Sequence, residues 1–172
     1  CFSKYEKDLV YLLTRANKQA HKMGGKVILT GILPSIREGD IDLKTITPLQ
    51  RYMALNEILT KIKGKDFEFN IQGLDELIMK ADSVLFEACN TSFQMHLQIN
   101  PYRFKESLNW AKAISGPILA CMVNAPLFLG KRLWKETRIA LFQQSTDIRK
   151  GESVFREERP RVFFGYNWEK GN

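Results

Sequence analysis

The chain has 172 residues, of which 44% are hydrophobic and 26% charged, and it carries a formal net charge of +7 at pH 7. That is enough apolar material for one core and too much for a disordered chain. Pro117 and Asn124 bound the apolar run 118–123, so the sequence holds no span long enough for a bilayer and no membrane is expected.

A positive balance attracts nucleic acid, anionic membranes or polyphosphate ligands. Here the late cations Lys131, Arg132, Lys135, Arg138, Arg149, Lys150, Arg156, Arg159 and Arg161 are interleaved with Glu136, Asp147, Glu152, Glu157 and Glu158. This pattern reads as a solvated mixed-charge surface and disfavours nucleic acid as a partner. Cys1, Cys89 and Cys121 lie far apart and cannot form an all-intramolecular disulfide set, which points to a reducing, cytoplasmic setting. Residues 1–21 have the charge of an amphipathic helix and lack the apolar block of a secretory signal. Because the chain opens on a helix without an initiator methionine, it is expected to be an internal piece of something longer.

In chain order, the spacing of Tyr5, Leu9, Leu12, Leu13, Ala16 and Ala20 predicts a helix over 3–21, ended by Gly24-Gly25. A largely apolar strand is expected over 26–33, closed by Pro34, with a polar loop over 35–46. Thr47-Pro48-Leu49-Gln50 predicts a capped helix start, with Leu49, Met53, Leu59 and Ile62 facing inward and Gly64 as the stop. Phe67, Phe69 and Ile71 alternate with Glu68, Asn70 and Gln72 as a strand. A short helix over 74–81 and a strand over 83–89 follow, with a bulge or turn near Asn90.

Residues 93–99 alternate strictly, with Phe93, Met95, Leu97 and Ile99 on one side and Gln94, His96 and Gln98 on the other. Asn100-Pro101 starts a long helix that Gly116-Pro117 should kink or divide and that 124–126 ends. Helical spacing returns over 131–144. A flexible charged loop is expected over about 149–161 and a short strand over 162–166. Strands interspersed with helices, without a regular βαβ period, predict an α+β fold with a mainly antiparallel sheet, in one partial domain spanning 1–172.

No Gly-rich phosphate loop, dinucleotide fingerprint, His-Glu-x-x-His motif, paired Cys-x-x-Cys or Gly-x-Ser-x-Gly is present. What remains is a scattered polar set. Glu87, in an apolar context, either binds a cation such as Mg²⁺ together with His96 or points to solvent at a sheet edge. Gln94 either orients a substrate or satisfies a neighbouring backbone, and His96 either acts chemically or is a hydrogen-bonded structural histidine. Arg132 and Glu136 are spaced for an ion pair on one helix face, whereas Arg138 has the guanidinium geometry to grip a phosphate. Arg51 either supports the site through a carboxylate or lies on the surface. Asn124 either caps a helix or presents its amide to substrate.

Five segments in order, Gly31-Ile32-Leu33-Pro34, Thr47-Pro48-Leu49-Gln50-Arg51-Tyr52, Asn90-Thr91-Ser92-Phe93-Gln94-Met95-His96-Leu97, Asn124-Ala125-Pro126-Leu127-Phe128-Leu129-Gly130 and Arg132-Leu133-Trp134-Lys135-Glu136-Thr137-Arg138, resemble the glutamate-cysteine ligase family, in its type-2 and plant-like carboxylate-amine ligase branches. The resemblance implies part of a glutamine-synthetase-like catalytic domain with an antiparallel sheet at an ATP and Mg²⁺ site. It implies ATP-dependent joining of glutamate, through its γ-carboxylate, to cysteine or another small amine. Gln94 and His96 would then lie on the active-site sheet, with Asn124, Arg132 and Arg138 near substrate and phosphates. Missing portions of the same ligase chain would complete the site, and a homo-oligomer is left open. Ala125 stands where the family pattern has serine, which removes one hydroxyl.

Overall fold

In the computed structural model, the residues described are 2–42, 44–64, 66–81, 84–147, 149, 165 and 167–170. The expected charged loop over about 149–161 and strand over 162–166 fall almost wholly outside them. The chain divides into two compact units, Cys1–Thr30 and Gly31–Asn172.

The first unit is helix α1, Phe2–Lys22, close to the predicted bounds. Its last turn carries Lys22, a cation that suits the negative end of the helix dipole. Past the helix, Asn17 accepts a hydrogen bond from the Val27 amide at 3.0 Å. The strand expected over 26–33 does not form, and these residues run without a ladder partner. Their apolar run lacked a neighbouring strand to supply hydrogen bonds, and a strand is only as real as its pairing.

In the second unit, α2 spans Gln50–Lys63. Its N-cap is Leu49 with no side-chain cap, not Thr47 as the motif suggested. The Thr47 carbonyl instead accepts from the Leu49 amide at 2.7 Å, a tight local turn that places Pro48 before the helix. Of the four side chains expected inward, Leu59 is buried while Leu49, Met53 and Ile62 are exposed. Gly64 ends the helix in the left-handed region at φ 67°, as its position predicted.

Strand β1, Phe67–Gln72, buries Phe67, Phe69 and Ile71 and exposes the residues between, which is the alternation read from the sequence. It pairs antiparallel with β2, Glu76–Ala81, from Phe67 opposite Ala81 to Gln72 opposite Glu76. The helix expected over 74–81 is thus a strand. Leu, Met, Lys and Ala favour helix locally, but Gly73 turns the chain back so that Leu77 and Ala81 are buried beside β1. A Cβ on Gly73 would come within 2.6 Å of Leu133 main-chain atoms, so this approach requires glycine.

The strand expected over 83–89 is a 3₁₀ helix, Val84–Cys89. It seats Phe86 against Phe69 at 5.1 Å between ring centres and against Phe128 at 6.2 Å, edge to face. The apolar run serves the core by turning, which periodicity in a short apolar stretch cannot distinguish from extension. Asn100 then caps as expected, accepting from the Tyr102 amide at 3.0 Å. The 3₁₀ turn Pro101–Arg103 leads into α3, Phe104–Met122, which runs through Pro117 undivided.

A second hairpin joins β3, Leu127–Phe128, to β4, Lys131–Arg132. Both linking residues have positive φ, Leu129 at 49° and Gly130 at 75°, as a two-residue hairpin turn demands. The helix predicted over 131–144 therefore begins later, as α4, Thr137–Ser145. Its residues Thr137, Ala140, Leu141 and Ser145 are buried, and α4 packs on β1. Gln144 on α4 donates to the Asn70 carbonyl and accepts from the Asn70 amide, both at 2.9 Å, so its amide covers one stretch of the β1 edge. The second unit is a mixed α+β arrangement with two small antiparallel sheets and one core built on Phe67, Phe69, Ile71, Phe128 and Leu141.

Candidate functional site

Glu136 precedes α4 in a non-helical conformation, φ −133° and ψ 74°, and this lets its side chain turn toward that of Arg138 two residues on. The pair is bidentate: Arg138 Nε donates to Glu136 Oε1 and Arg138 Nη2 to Oε2 at 2.7 Å. The same guanidinium donates from Nη1 to the Thr91 carbonyl at 2.6 Å and from Nη2 to Asn124 Oδ1 at 3.1 Å. Thr91 in turn donates from its amide and hydroxyl to the Gly31 carbonyl, at 2.9 and 2.8 Å. The Gly31 amide donates to the Asn124 carbonyl at 3.3 Å, which closes the ring.

Gly31, Thr91, Asn124, Glu136 and Arg138 thus form one knot of four chain segments. A Cβ at position 31 would lie 2.7 Å from Arg138 Cζ, Arg138 Nε and Asn124 Oδ1, so the knot closes only around a glycine. Glu136 is 5% exposed, and its ionised form is held by the guanidinium. Hydrogen bonding from Arg138 lowers its pKa from the ordinary 4.5, against the raising effect of burial. The Arg138 pKa is raised, first by the hydrogen bonds to Glu136. Beside the knot, the side-chain amide of Asn90 is buried, with neither Oδ1 nor Nδ2 bonded to a described residue.

The structure brings Asn124 and Arg138 together and leaves the other expected residues elsewhere. Asn124 follows the Val123 C-cap of α3, and its side chain serves Arg138 instead of a helix end. Arg132 lies on β4 and grips the β1–β2 turn: its amide donates to Asp75 Oδ2 at 2.7 Å and its Nε to the same oxygen at 3.4 Å. The helical ion pair read between Arg132 and Glu136 is absent because the hairpin displaces the helix start past both residues. Arg51, in the first turn of α2, donates to the Tyr52 hydroxyl at 2.8 Å and lies over its ring.

Glu87 is half-buried in the 3₁₀ turn, and its carbonyl accepts from the Asn90 amide at 3.0 Å. Gln94 and His96 are exposed on a segment, 90–100, that runs from the knot without helix, turn, bend or ladder. The alternating strand read over 93–99 is therefore open chain, and its apolar side is exposed as well as its polar one. Burial pushes the Cys89 thiol up to about 11, leaving it a packing residue and not a nucleophile.

Among the described residues, no group of three or more His, Cys, Asp or Glu side chains is placed to hold a metal ion. Nor is any described helix long and apolar enough to cross a membrane. Gly31 and Thr91 are the members of the knot that a search for reactive side chains passes over, and Glu136 is read from the sequence as a partner of Arg132 and not of Arg138. The signal for Glu136 was its spacing of two from Arg138, which joins side chains only where the backbone is not helical. Comparison with protein-family models, with curated proteins and with solved structures finds no match.

Proposed function

We propose that the chain is a partial catalytic domain of an ATP-dependent carboxylate-amine ligase, joining the glutamate γ-carboxylate to cysteine or a comparable small amine, on a glutamine-synthetase-like fold. The observation that carries this reading is the convergence of four of the five resembling segments, through Gly31, Thr91, Asn124 and Arg138, on one polar knot. Segments distant in sequence that meet through several polar bonds are constrained together, as a site requires.

A carboxylate must be activated before an amine can attack it. Transfer of the ATP γ-phosphoryl group to a carboxylate oxygen releases ADP and forms an acyl phosphate. The amine nitrogen then bonds to the carbonyl carbon as the carbon–oxygen bond to phosphate breaks. Within this scheme Arg138 is a positioning residue: it fixes the Thr91 carbonyl and so the root of the segment that bears Gln94 and His96. Gln94 would orient the substrate, and His96 would take the proton that the amine loses. Mg²⁺ requires several oxygen ligands, and Glu87 with His96 does not meet that need among the described residues.

A noncatalytic scaffold derived from such a ligase is the second reading, favoured by one fact. Four hydrogen bonds to protein atoms already occupy Arg138, leaving little of it for phosphate. A mass-resolved assay of the complete source protein with ATP, glutamate and a panel of amines separates the two. The ligase reading expects a glutamyl amide with ADP and phosphate released in equal amounts, and a His96→Ala loss of about a hundredfold in rate. Folded protein that yields no amide with any amine sinks it in favour of the scaffold.

A further inference from the structure

Phe93-Gln94-Met95-His96-Leu97-Gln98-Ile99 has the same chemistry read from either end, apolar and amide positions alternating symmetrically about His96. Between 90 and 100 there is no charged residue, proline or glycine, so the segment lacks the devices that keep a strand edge from pairing. Across 93–99 the main chain makes no hydrogen bond to a described residue, and Phe93, Met95 and Leu97 are 71%, 65% and 61% exposed. An unbent chain with open amides and carbonyls is a template for another strand.

We propose that this segment pairs antiparallel with the same segment of a second copy of the chain, about a two-fold axis at His96. In that register Phe93 lies opposite Ile99, Met95 opposite Leu97, Gln94 opposite Gln98, and His96 opposite itself. Apolar side chains meet on one face, an aromatic against a β-branched one at each end, and amides meet on the other. A slip of one residue sets every apolar side chain against a polar one, and a slip of two leaves an end apolar residue unmatched, so the symmetric register pairs the most apolar side chains. The contact is self-complementary, as a two-fold interface requires.

A groove of about 720 Å³ supplies a second reason to favour a copy of this chain. It is lined by Leu97, Ile99, Phe104, Leu108 and Trp110, among others. The proposed register sets Phe93 of the second copy opposite Ile99, beside that groove. An acidic or basic peptide would find no charge on the segment to recognise, and the charges lining the groove, Arg103 and Glu106, are of opposite sign. Two copies, each at +7, repel at long range, so association should strengthen with salt. The pairing uses the segment that the ligase reading gives to substrate, but it is measured without ATP or substrate, so the failure of either is read separately.

Sedimentation equilibrium of the full chain should give a dimer whose population rises with salt. The double variant Met95→Lys with Leu97→Lys should be monomeric. In a background of Cys1→Ser, Cys89→Ala and Cys121→Ser, His96→Cys should oxidise to a linked dimer. Gln94→Cys should not, since the two copies of position 94 would stand about 14 Å apart along the strands. A monomer under all conditions, a dimer indifferent to the lysines, or equal linking at 94 and 96 overturns the proposal.

Discussion

At the scale of single residues, Glu136 and Arg138 decide how the second unit holds together. Glu136 is buried and charged, and the guanidinium, helped by the backbone amides of Asn124 and Arg138, makes that tolerable. Arg138→Ala should cost about 3 kcal/mol in chemical denaturation, because it leaves an unmatched carboxylate in the knot. The folded chain lowers the Glu136 pKa below 4.5, so the ionised form favours folding. Its contribution is complete above about pH 4.5, the unfolded value, and fades as pH falls through the lower folded value. Denaturation midpoints between pH 6 and 3 should therefore drop more for the native chain than for Glu136→Gln. Equal slopes would show that the pair contributes nothing to acid sensitivity.

At the scale of elements, the β3–β4 hairpin sets the position of everything after it. Its turn puts Leu129 and Gly130 at positive φ, a conformation in which an L side chain crowds the backbone. Gly130→Ala should lower stability by about 1 kcal/mol, read as a fall in the thermal midpoint, although a Cβ there meets no atom within 4 Å. An unchanged midpoint would mean that the turn is not held at that φ. The hairpin also explains why helical spacing over 131–144 misled: Leu133 is buried, but through the hairpin and not a helix. Of the apolar stripe Leu133, Trp134, Ile139, Ala140 and Leu141, the pattern was right about Leu133, Ala140 and Leu141 being inside and wrong about Trp134 and Ile139, and wrong about the backbone that carries Leu133. The strand β1 was legible because its alternation matches one buried face, whereas β2 was not, because its residues favour helix until β1 lies beside them.

At the scale of the whole molecule, the second unit is tight in one part and open in another. Phe67, Phe69, Phe128 and Leu141 are buried, whereas α3 holds no buried residue and leaves Trp110, Ile118 and Met122 exposed. Stability should follow that division. Hydrogen exchange of dilute protein should show slow amides on β1 and α4 and fast ones over 93–99, with the latter slowing as concentration rises if copies pair. Slow exchange over 93–99 at every concentration would require a hydrogen-bonding partner within the chain.

Sequence alone determined α1, the alternation of β1, the Gly64 stop, the Asn100 cap and the mixed α+β class, because each rests on bonds or sterics between near neighbours. It also singled out Asn124 and Arg138. Only tertiary structure decided that Arg138 is bound to Glu136 and Thr91, that Arg132 belongs to the Asp75 turn, and that Gly31 closes the knot. Those outcomes depend on segments tens of residues apart arriving at one point. Spacing along a chain carries no term for such a meeting; it is settled by which buried polar groups find partners when the core closes.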